Sequence, residues 1–252
     1  MTRLLFIISL ILISIVCNAK CVSQDFKMIN RDDTISSKGK VIIDFYEYRR
    51  YFFNSTKDIS IIAIVNGKQY ELKLIESAQG FNLVQGIFMF PDSIELGKCT
   101  IAIKPLNFET AIEMESQLLG AEGYEPKIIN EFYLSNSVGH ISGGWSGKPE
   151  LLKAEYAKLG CGDEIYNEFN IPNSFDQDLI YEVTVINESI STQVNVAFIN
   201  IESKDKFYIG HDMCYGTFNL DVNESYILKI RAYSQKFDSF SSTVDLRIEK
   251  LN

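Results

Sequence analysis

His140 and His211 are the two histidines of the chain, and histidine is the side chain best suited to proton transfer near neutral pH. His211 precedes Asp212, but a serine-type triad needs three side chains that converge in space, and this spacing does not indicate one. The run from Gly144 to Lys148, GWSGK, fails the G-x-S-x-G elbow because Lys148 stands where the last glycine belongs. We therefore predict that the protein has no catalytic residues and interpret His211 as a turn residue.

Metal chemistry finds equally little support in the residue pattern. The carboxylates Asp163, Glu164 and Glu168 do not have the spacing of a calcium loop. The cysteines form no C-x-x-C pair, and two histidines are too few to complete a typical zinc site. The sequence therefore predicts neither a bound metal nor a cofactor.

The glycine-rich stretch at residues 139–147, GHISGGWSG, offers a candidate contact for a partner. Trp145 among glycines could stack on the flat apolar face of a sugar, with His140 beside it. We favour the alternative that Trp145 folds back onto the edge of a β-sandwich.

A second candidate contact is the aromatic run FYEYRRYFF at residues 45–53. Successive side chains of a strand point to opposite faces, so Tyr46, Tyr48 and Arg50 would form an outward set. Aromatic and arginine side chains are enriched at protein interfaces. We favour the alternative that an N-terminal arm covers this strand.

The first 19 residues predict export, because Arg3 precedes an apolar run that ends in Cys17-Asn18-Ala19, as in a cleaved signal peptide. Lipidation of Cys17 or Cys21 is disfavoured because neither follows a small residue. No later run is long enough to span a membrane. Loss of Arg3 changes the formal charge from −9 to −10. Such an acidic chain makes nucleic acid an improbable partner.

The mature chain keeps four cysteines, an even number that favours disulfides in an exported protein. We predict a Cys161–Cys214 bridge and, less firmly, a Cys21–Cys99 bridge, because each pair falls within one expected domain.

Short alternating runs separated by turn residues predict an all-β protein of two immunoglobulin-like sandwich domains. Asn66-Gly67 predicts a tight hairpin between residues 59–65 and 69–74. Residues 107–119 fit either a closing strand, which we favour, or a helix capped by Asn107. The cluster of two glycines and Pro126 at residues 120–126 predicts a linker between domains at residues 20–119 and 127–252.

The final run, residues 207–248, resembles the closing strands of a fibronectin type III domain. Leu220 precedes Tyr226 by six residues, and that family turns the hydroxyl of such a tyrosine back onto nearby backbone. The glycine–cysteine stretches at residues 159–162 and 209–218 add a resemblance to uncharacterised exported bacterial proteins with immunoglobulin-like sandwiches. No function follows from that resemblance, and oligomeric state stays open.

The function expected from these observations is that of an exported, non-enzymatic protein that binds a protein or surface partner in the envelope or outside the cell. One alternative is a carbohydrate-binding or hydrolytic exported protein. Another is a chaperone or pilus-type subunit that pairs an exposed strand edge with a partner.

Overall fold

The computed structural model describes residues 26–30, 32–46, 58–114, 123–137, 139–159, 162–175, 179–200, 206–211 and 216–250. The expected signal peptide lies outside these ranges. None of the helices within them is long and apolar enough to cross a membrane. In chain order the elements are β1 (Phe26–Ile29), β2 (Thr34–Ser36), β3 (Lys40–Tyr46), β4 (Ile59–Val65), β5 (Lys68–Glu71), β6 (Lys73–Gln79), β7 (Leu83–Met89), β8 (Gly97–Pro105), α1 (Phe108–Glu113), β9 (Lys127–Ser135), β10 (Glu150–Leu159), β11 (Gly162–Asn170), β12 (Ile180–Asn187), β13 (Thr192–Ile199), β14 (Lys206–His211), β15 (Tyr226–Ser234), β16 (Ser239–Phe240) and β17 (Val244–Ile248).

The first sandwich consists of a four-stranded sheet in the order β1-β3-β7-β6 and a five-stranded sheet in the order β2-β9-β8-β4-β5. Its strands pair antiparallel, apart from the parallel pair β2–β9. The alternating apolar residues of both sheets meet in a core that includes Ile43, Phe45, Ile61, Ile101 and Phe132. The predicted hairpin is confirmed as β4–β5, where Asn66 and Gly67 both adopt the positive φ angles that this turn requires.

The first sandwich extends beyond the linker expected at residues 120–126. Strand β9 pairs antiparallel with β8, with Phe132 opposite Cys99, and parallel with β2. The expected boundary was therefore placed too early, and the second sandwich begins only after β9.

The segment that follows β8 contributed to this misplacement. The strand favoured there was wrong for residues 108–113, which form α1, and the helix alternative is confirmed for these six residues. The Asn107 side-chain oxygen accepts a hydrogen bond from the Thr110 backbone N–H at 2.9 Å and caps the helix. The rest of this range, residues 115–119, lies outside the described residues.

The second sandwich pairs a three-stranded sheet, β10-β11-β14, with a sheet in the order β13-β12-β15, in which β16 and β17 both pair with β15. Its core includes Phe169, Val183, Phe207 and Leu228. The backbone N–H of Asp221 donates a 2.9 Å hydrogen bond to the hydroxyl of Tyr226, whose ring is buried. The tyrosine corner expected from the fibronectin type III resemblance is therefore present.

Cys99 is a free cysteine in the core of the first sandwich. Burial raises the pKa of its thiol to about 12, which keeps it protonated and unreactive. The structure thus does not support the Cys21–Cys99 bridge. Cys21, Cys161 and Cys214 lie outside the described residues.

We expect Tyr226→Phe to lower the free energy of unfolding by about 1 kcal/mol, because the Asp221 N–H loses its partner. Urea denaturation measures the change. Tyr208→Phe is the matched control, since the Tyr208 hydroxyl makes no hydrogen bond within the described structure. Equal stability of the Tyr226→Phe protein and wild type would show that the corner does not stabilise the fold.

The Cys161–Cys214 bridge stays a prediction, and the pairing of the strands beside these cysteines favours it. Strands β11 and β14 are antiparallel, with Ile165 opposite His211. Cys161 lies shortly before Ile165 in sequence, and Cys214 shortly after His211. Non-reducing peptide mapping should yield a linked Cys161–Cys214 peptide, and loss of the bridge should cost about 2–5 kcal/mol of stability. A free thiol at either position would contradict the pairing.

Candidate functional site

The two sandwiches meet along a buried junction. Its apolar part comes from both sandwiches, and every member is at most 4% exposed. The first sandwich contributes Ile29, Ile42 and Ile87, and the second contributes Ile180, Phe198 and Tyr233. These side chains form a cluster separate from the two sandwich cores, so the contact is a third apolar core rather than a loose touch.

A buried glutamine joins the two sandwiches by hydrogen bonds. Gln85 of β7 is fully buried, and its Nε2 donates to the backbone carbonyl of Phe198 at 2.9 Å. The backbone N–H of Phe198 donates back to Gln85 Oε1 at 2.6 Å. Phe198 lies on β13, at the edge of its sheet. The side-chain amide therefore satisfies both polar groups of an edge-strand residue that water cannot reach.

The same glutamine holds the carboxyl group of Asp44. Its Nε2 also donates to Asp44 Oδ1 at 2.8 Å, and Asp44 lies opposite Gln85 across the β3–β7 pair. Burial raises the pKa of Asp44 to about 6, against an ordinary value of 3.8. The hydrogen bonds from Gln85 and Tyr46 and the charge of Lys27 lower this pKa and only partly offset burial.

Gln235 forms a second polar connection across the junction. Its Nε2 donates to the backbone carbonyls of Ile29 and Lys40, and its own backbone carbonyl accepts from the Ser36 N–H at 2.9 Å. The Lys40 backbone N–H donates to the Tyr233 hydroxyl at 2.8 Å. Burial raises the pKa of Tyr233 far above its usual value, so this hydroxyl stays protonated.

A third contact involves His211. Phe81 and Gly216 exchange two backbone hydrogen bonds of 2.8 Å between the sandwiches. The Phe81 ring stacks on His211, with the ring centroids 4.3 Å apart. Gly80 must be glycine, because a Cβ there would lie 2.2 Å from the Gly216 carbonyl oxygen. His211 is therefore buried at the end of β14 and holds the junction, rather than occupying the turn that the sequence suggested.

The prediction that Tyr46 of β3 points outward to solvent is wrong. This side chain is only 9% exposed. Ile42, Asp44 and Tyr46 share one face of β3, and Ile42 and Asp44 of that face contribute to the junction. The favoured alternative is confirmed at the edge of β3, where β1 of the N-terminal segment pairs with it, and the second sandwich covers the face of Ile42. Tyr48 and Arg50 lie outside the described residues.

Trp145 folds back onto the second sandwich, as we favoured. Its indole N–H donates to the Ser242 backbone carbonyl at 2.8 Å. Its ring packs edge-on against Phe175, with centroids 5.1 Å apart, and lies beside Tyr181. These contacts hold the indole against the sandwich. His140 is exposed in the same loop.

The carboxylates considered for metal binding make ordinary surface contacts. Glu168 forms an ion pair with Lys206 at 2.7 Å, and Asp163 accepts a hydrogen bond from Tyr156. Within the described part of the chain, no three side chains among His, Cys, Asp and Glu are grouped so that they could hold a metal ion.

The exposed apolar side chains around α1 are the functional candidates that the sequence did not indicate. Phe108 and Ile112 lie four residues apart on one face of α1 and are 68% and 59% exposed. The opposite face buries Thr110, Ala111 and Met114.

Two further exposed apolar side chains lie at this end of the sheet. Leu106 immediately follows β8, and Ile128 lies near the start of β9, opposite Ala102 of β8. We call Leu106, Phe108, Ile112 and Ile128 the end patch. Its only signal in the sequence was that Phe108 and Ile112 have helical spacing.

No protein-family model matches this chain, and no curated protein matches it. Among solved structures, it is similar to a cytokine receptor complex, at 10% identity over 90% of this chain and 97% of that chain, with a TM-score of 0.26. It is also similar to the chicken interferon gamma receptor alpha chain, at 9% identity over 89% of this chain and 98% of that chain, with a TM-score of 0.28. A third similar structure is a two-domain fibronectin type III segment of chicken tenascin, at 10% identity over 89% of this chain and 97% of that chain, with a TM-score of 0.24.

The chain consists of two immunoglobulin-like sandwiches. This assignment rests on the paired sheets and the tyrosine corner. Because the TM-scores are low, the similarities carry no information about a ligand or partner.

We expect the stability contributed by Asp44 to depend on pH. Because its folded pKa of about 6 lies above the ordinary 3.8, this stability is fully present below pH 3.8 and is lost as the pH rises through about 6. The shift corresponds to roughly 3 kcal/mol. Asp44→Asn removes this ionisation and should therefore gain stability relative to wild type as the pH rises.

Urea denaturation of both proteins between about pH 4 and pH 7.5 measures this difference. The exposed turn residue Asp92 provides the control variant Asp92→Asn, which should follow the wild-type profile. Parallel profiles for wild type and Asp44→Asn would contradict the assignment.

Proposed function

We propose that this protein is an exported, non-enzymatic binding protein that recognises a protein partner in the cell envelope or outside the cell. The observation that carries the proposal is the end patch, where four large apolar side chains are each 47–68% exposed. Exposed apolar patches on soluble proteins mark sites of protein interaction.

The placement of these side chains on α1 supports the proposal. A helix normally turns its apolar side chains toward the core and its polar ones toward water. Helix α1 instead buries Thr110 and exposes Phe108 and Ile112. This arrangement costs hydration free energy in the free protein, and a partner that covers the two side chains would recover it.

The junction supports the proposal because it makes the two sandwiches one rigid body. Buried hydrogen bonds from Gln85 and Gln235 and the apolar cluster hold the sandwiches in one arrangement. A partner therefore meets a preorganised surface and does not pay the entropy of ordering two loosely linked domains.

The positions of His211 and Trp145 favour binding over hydrolysis or sugar recognition. His211 is covered by Phe81 and is not open to a substrate. Trp145 uses its N–H on Ser242 and its ring on Phe175.

The test is a quantitative capture experiment with immobilised mature protein and extracts of envelope and extracellular proteins. We expect the double variant Phe108→Ser/Ile112→Ser to lose a specific captured partner, with affinity lowered by roughly tenfold or more. The affinity is measured by surface plasmon resonance once the partner has been identified.

Ile190→Ser is the matched control, because Ile190 is 67% exposed on a turn of the second sandwich. Both variants should unfold at the same urea concentration as wild type. Unchanged capture by the Phe108→Ser/Ile112→Ser protein would rule out the end patch. Specific binding to a glycan array, lost on substitution of Trp145, would instead favour the carbohydrate-binding alternative.

A further inference from the structure

Strand β10 is a long edge strand with almost no burial. It spans ten residues, and β11 is the only strand of the described residues that pairs with it. All side chains from Glu150 to Lys158 are exposed or half-exposed, including Leu151, Leu152 and Tyr156 at 40–48%. A long, exposed strand edge is a ready template for another strand, and natural proteins usually protect such edges.

The other edge strands of the structure are shorter, and several are occupied at the junction. Phe198 of β13 pairs with Gln85, and β14 ends at His211 beside Phe81. Strands β1, β2 and β5 have four residues or fewer. The outer edge of β10 is therefore the longest strand edge available for pairing among the described residues.

The centre of β10, whose sequence is ELLKAEYAKL, is complementary to itself when two copies run antiparallel about Ala154. In this register Lys153 of each copy lies opposite Glu155 of the other, so each of these charges meets an opposite charge. Cross-strand pairs of this kind stabilise sheets.

Neighbouring registers lack this complementarity. Moving the twofold axis by one residue brings Lys153 opposite itself or Glu155 opposite itself, and like charges that face each other destabilise a strand pair. Moving the axis by half a residue sets charged side chains opposite apolar ones. Ala154, which faces itself on the axis in the favoured register, is small and uncharged.

We propose that β10 is a homodimerisation edge, at which two copies of this chain pair antiparallel about Ala154. The two three-stranded sheets then continue as one six-stranded sheet in the order β14-β11-β10-β10-β11-β14. In a single copy, Lys153 and Glu155 form an exposed ion pair along the strand at 2.8 Å. The dimer gives both charges a partner across the twofold axis.

The bulge of β10 between Leu151 and Lys153 interrupts the alternation of side chains directly outside Lys153, so the complementarity is confined to the central residues. The central pairs come from residues 153–155, where the register with β11 is regular. Strand pairing of this length gives a modest interface, so the dimer should dissociate on dilution.

The test uses reciprocal charge changes in the mature chain, residues 20–252, with sedimentation equilibrium as the readout. Wild type should pass from monomer to dimer as concentration rises. Lys153→Glu places two carboxylates opposite each other at both symmetry-related pairs, and Glu155→Lys does the same with two ammonium groups. Each single variant should dimerise roughly tenfold more weakly than wild type.

An equimolar mixture of the two single variants should recover the dimer, because each of the two pairs again joins opposite charges. A fluorescent label on one variant identifies the mixed dimer by its change in anisotropy. The Lys153→Glu/Glu155→Lys double variant should likewise match wild type. Lys98→Glu is the matched control, since it makes the same charge change at an exposed ion pair with Glu131 of the first sandwich.

A wild-type protein that remains monomeric up to about 1 mM would overturn the proposal. A dimer that neither single variant weakens would place self-association on another surface. Failure of the mixture to dimerise, when both variants are folded by circular dichroism, would overturn the register about Ala154.

Discussion

The side-chain amide of Gln85 is the interaction on which the arrangement of the two sandwiches depends. It pairs with the backbone N–H and carbonyl of Phe198 as a neighbouring strand would, although it comes from the face of another sheet. Its Nε2 also donates to Asp44 Oδ1. The side-chain amide of Gln85 therefore has hydrogen-bond partners for both its nitrogen and its oxygen in a buried site. Breaking one such bond leaves a buried polar group unpaired, at a cost of about 1–3 kcal/mol. The junction is therefore specific as well as apolar.

This contact determines which surfaces remain for partners. The sheet β1-β3-β7-β6 has its own core on one face and the second sandwich on the other, so six consecutive residues are buried in both β3 and β7. The face that carries Tyr46 is thereby removed from solvent. The exposed apolar residues that remain include those of the end patch in the first sandwich and those along β10 in the second.

Local features of the fold could be predicted from the sequence, and long-range ones could not. Asn66-Gly67 and the Leu220–Tyr226 spacing specify their structures within a few residues, and both were found. Tyr46 was misplaced because alternation identifies the faces of a strand but not what covers them. Strand β9 was assigned to the wrong sandwich because its partners, β2 and β8, are distant in sequence. The end patch was not predicted because an apolar residue at helical spacing is usually a core residue.

Rigidity of the junction and pairing at β10 together have a consequence for partner binding. In a dimer about Ala154, each copy carries an end patch that the junction holds at a fixed position relative to β10. Two patches on one rigid body can engage two sites on a surface or on a dimeric partner. The second contact then forms at a high effective concentration, and avidity can exceed the affinity of one patch by about 10²–10⁴. A loose junction would spread the patches over many arrangements and lose most of this gain, so the proposed binding would depend on the buried Gln85.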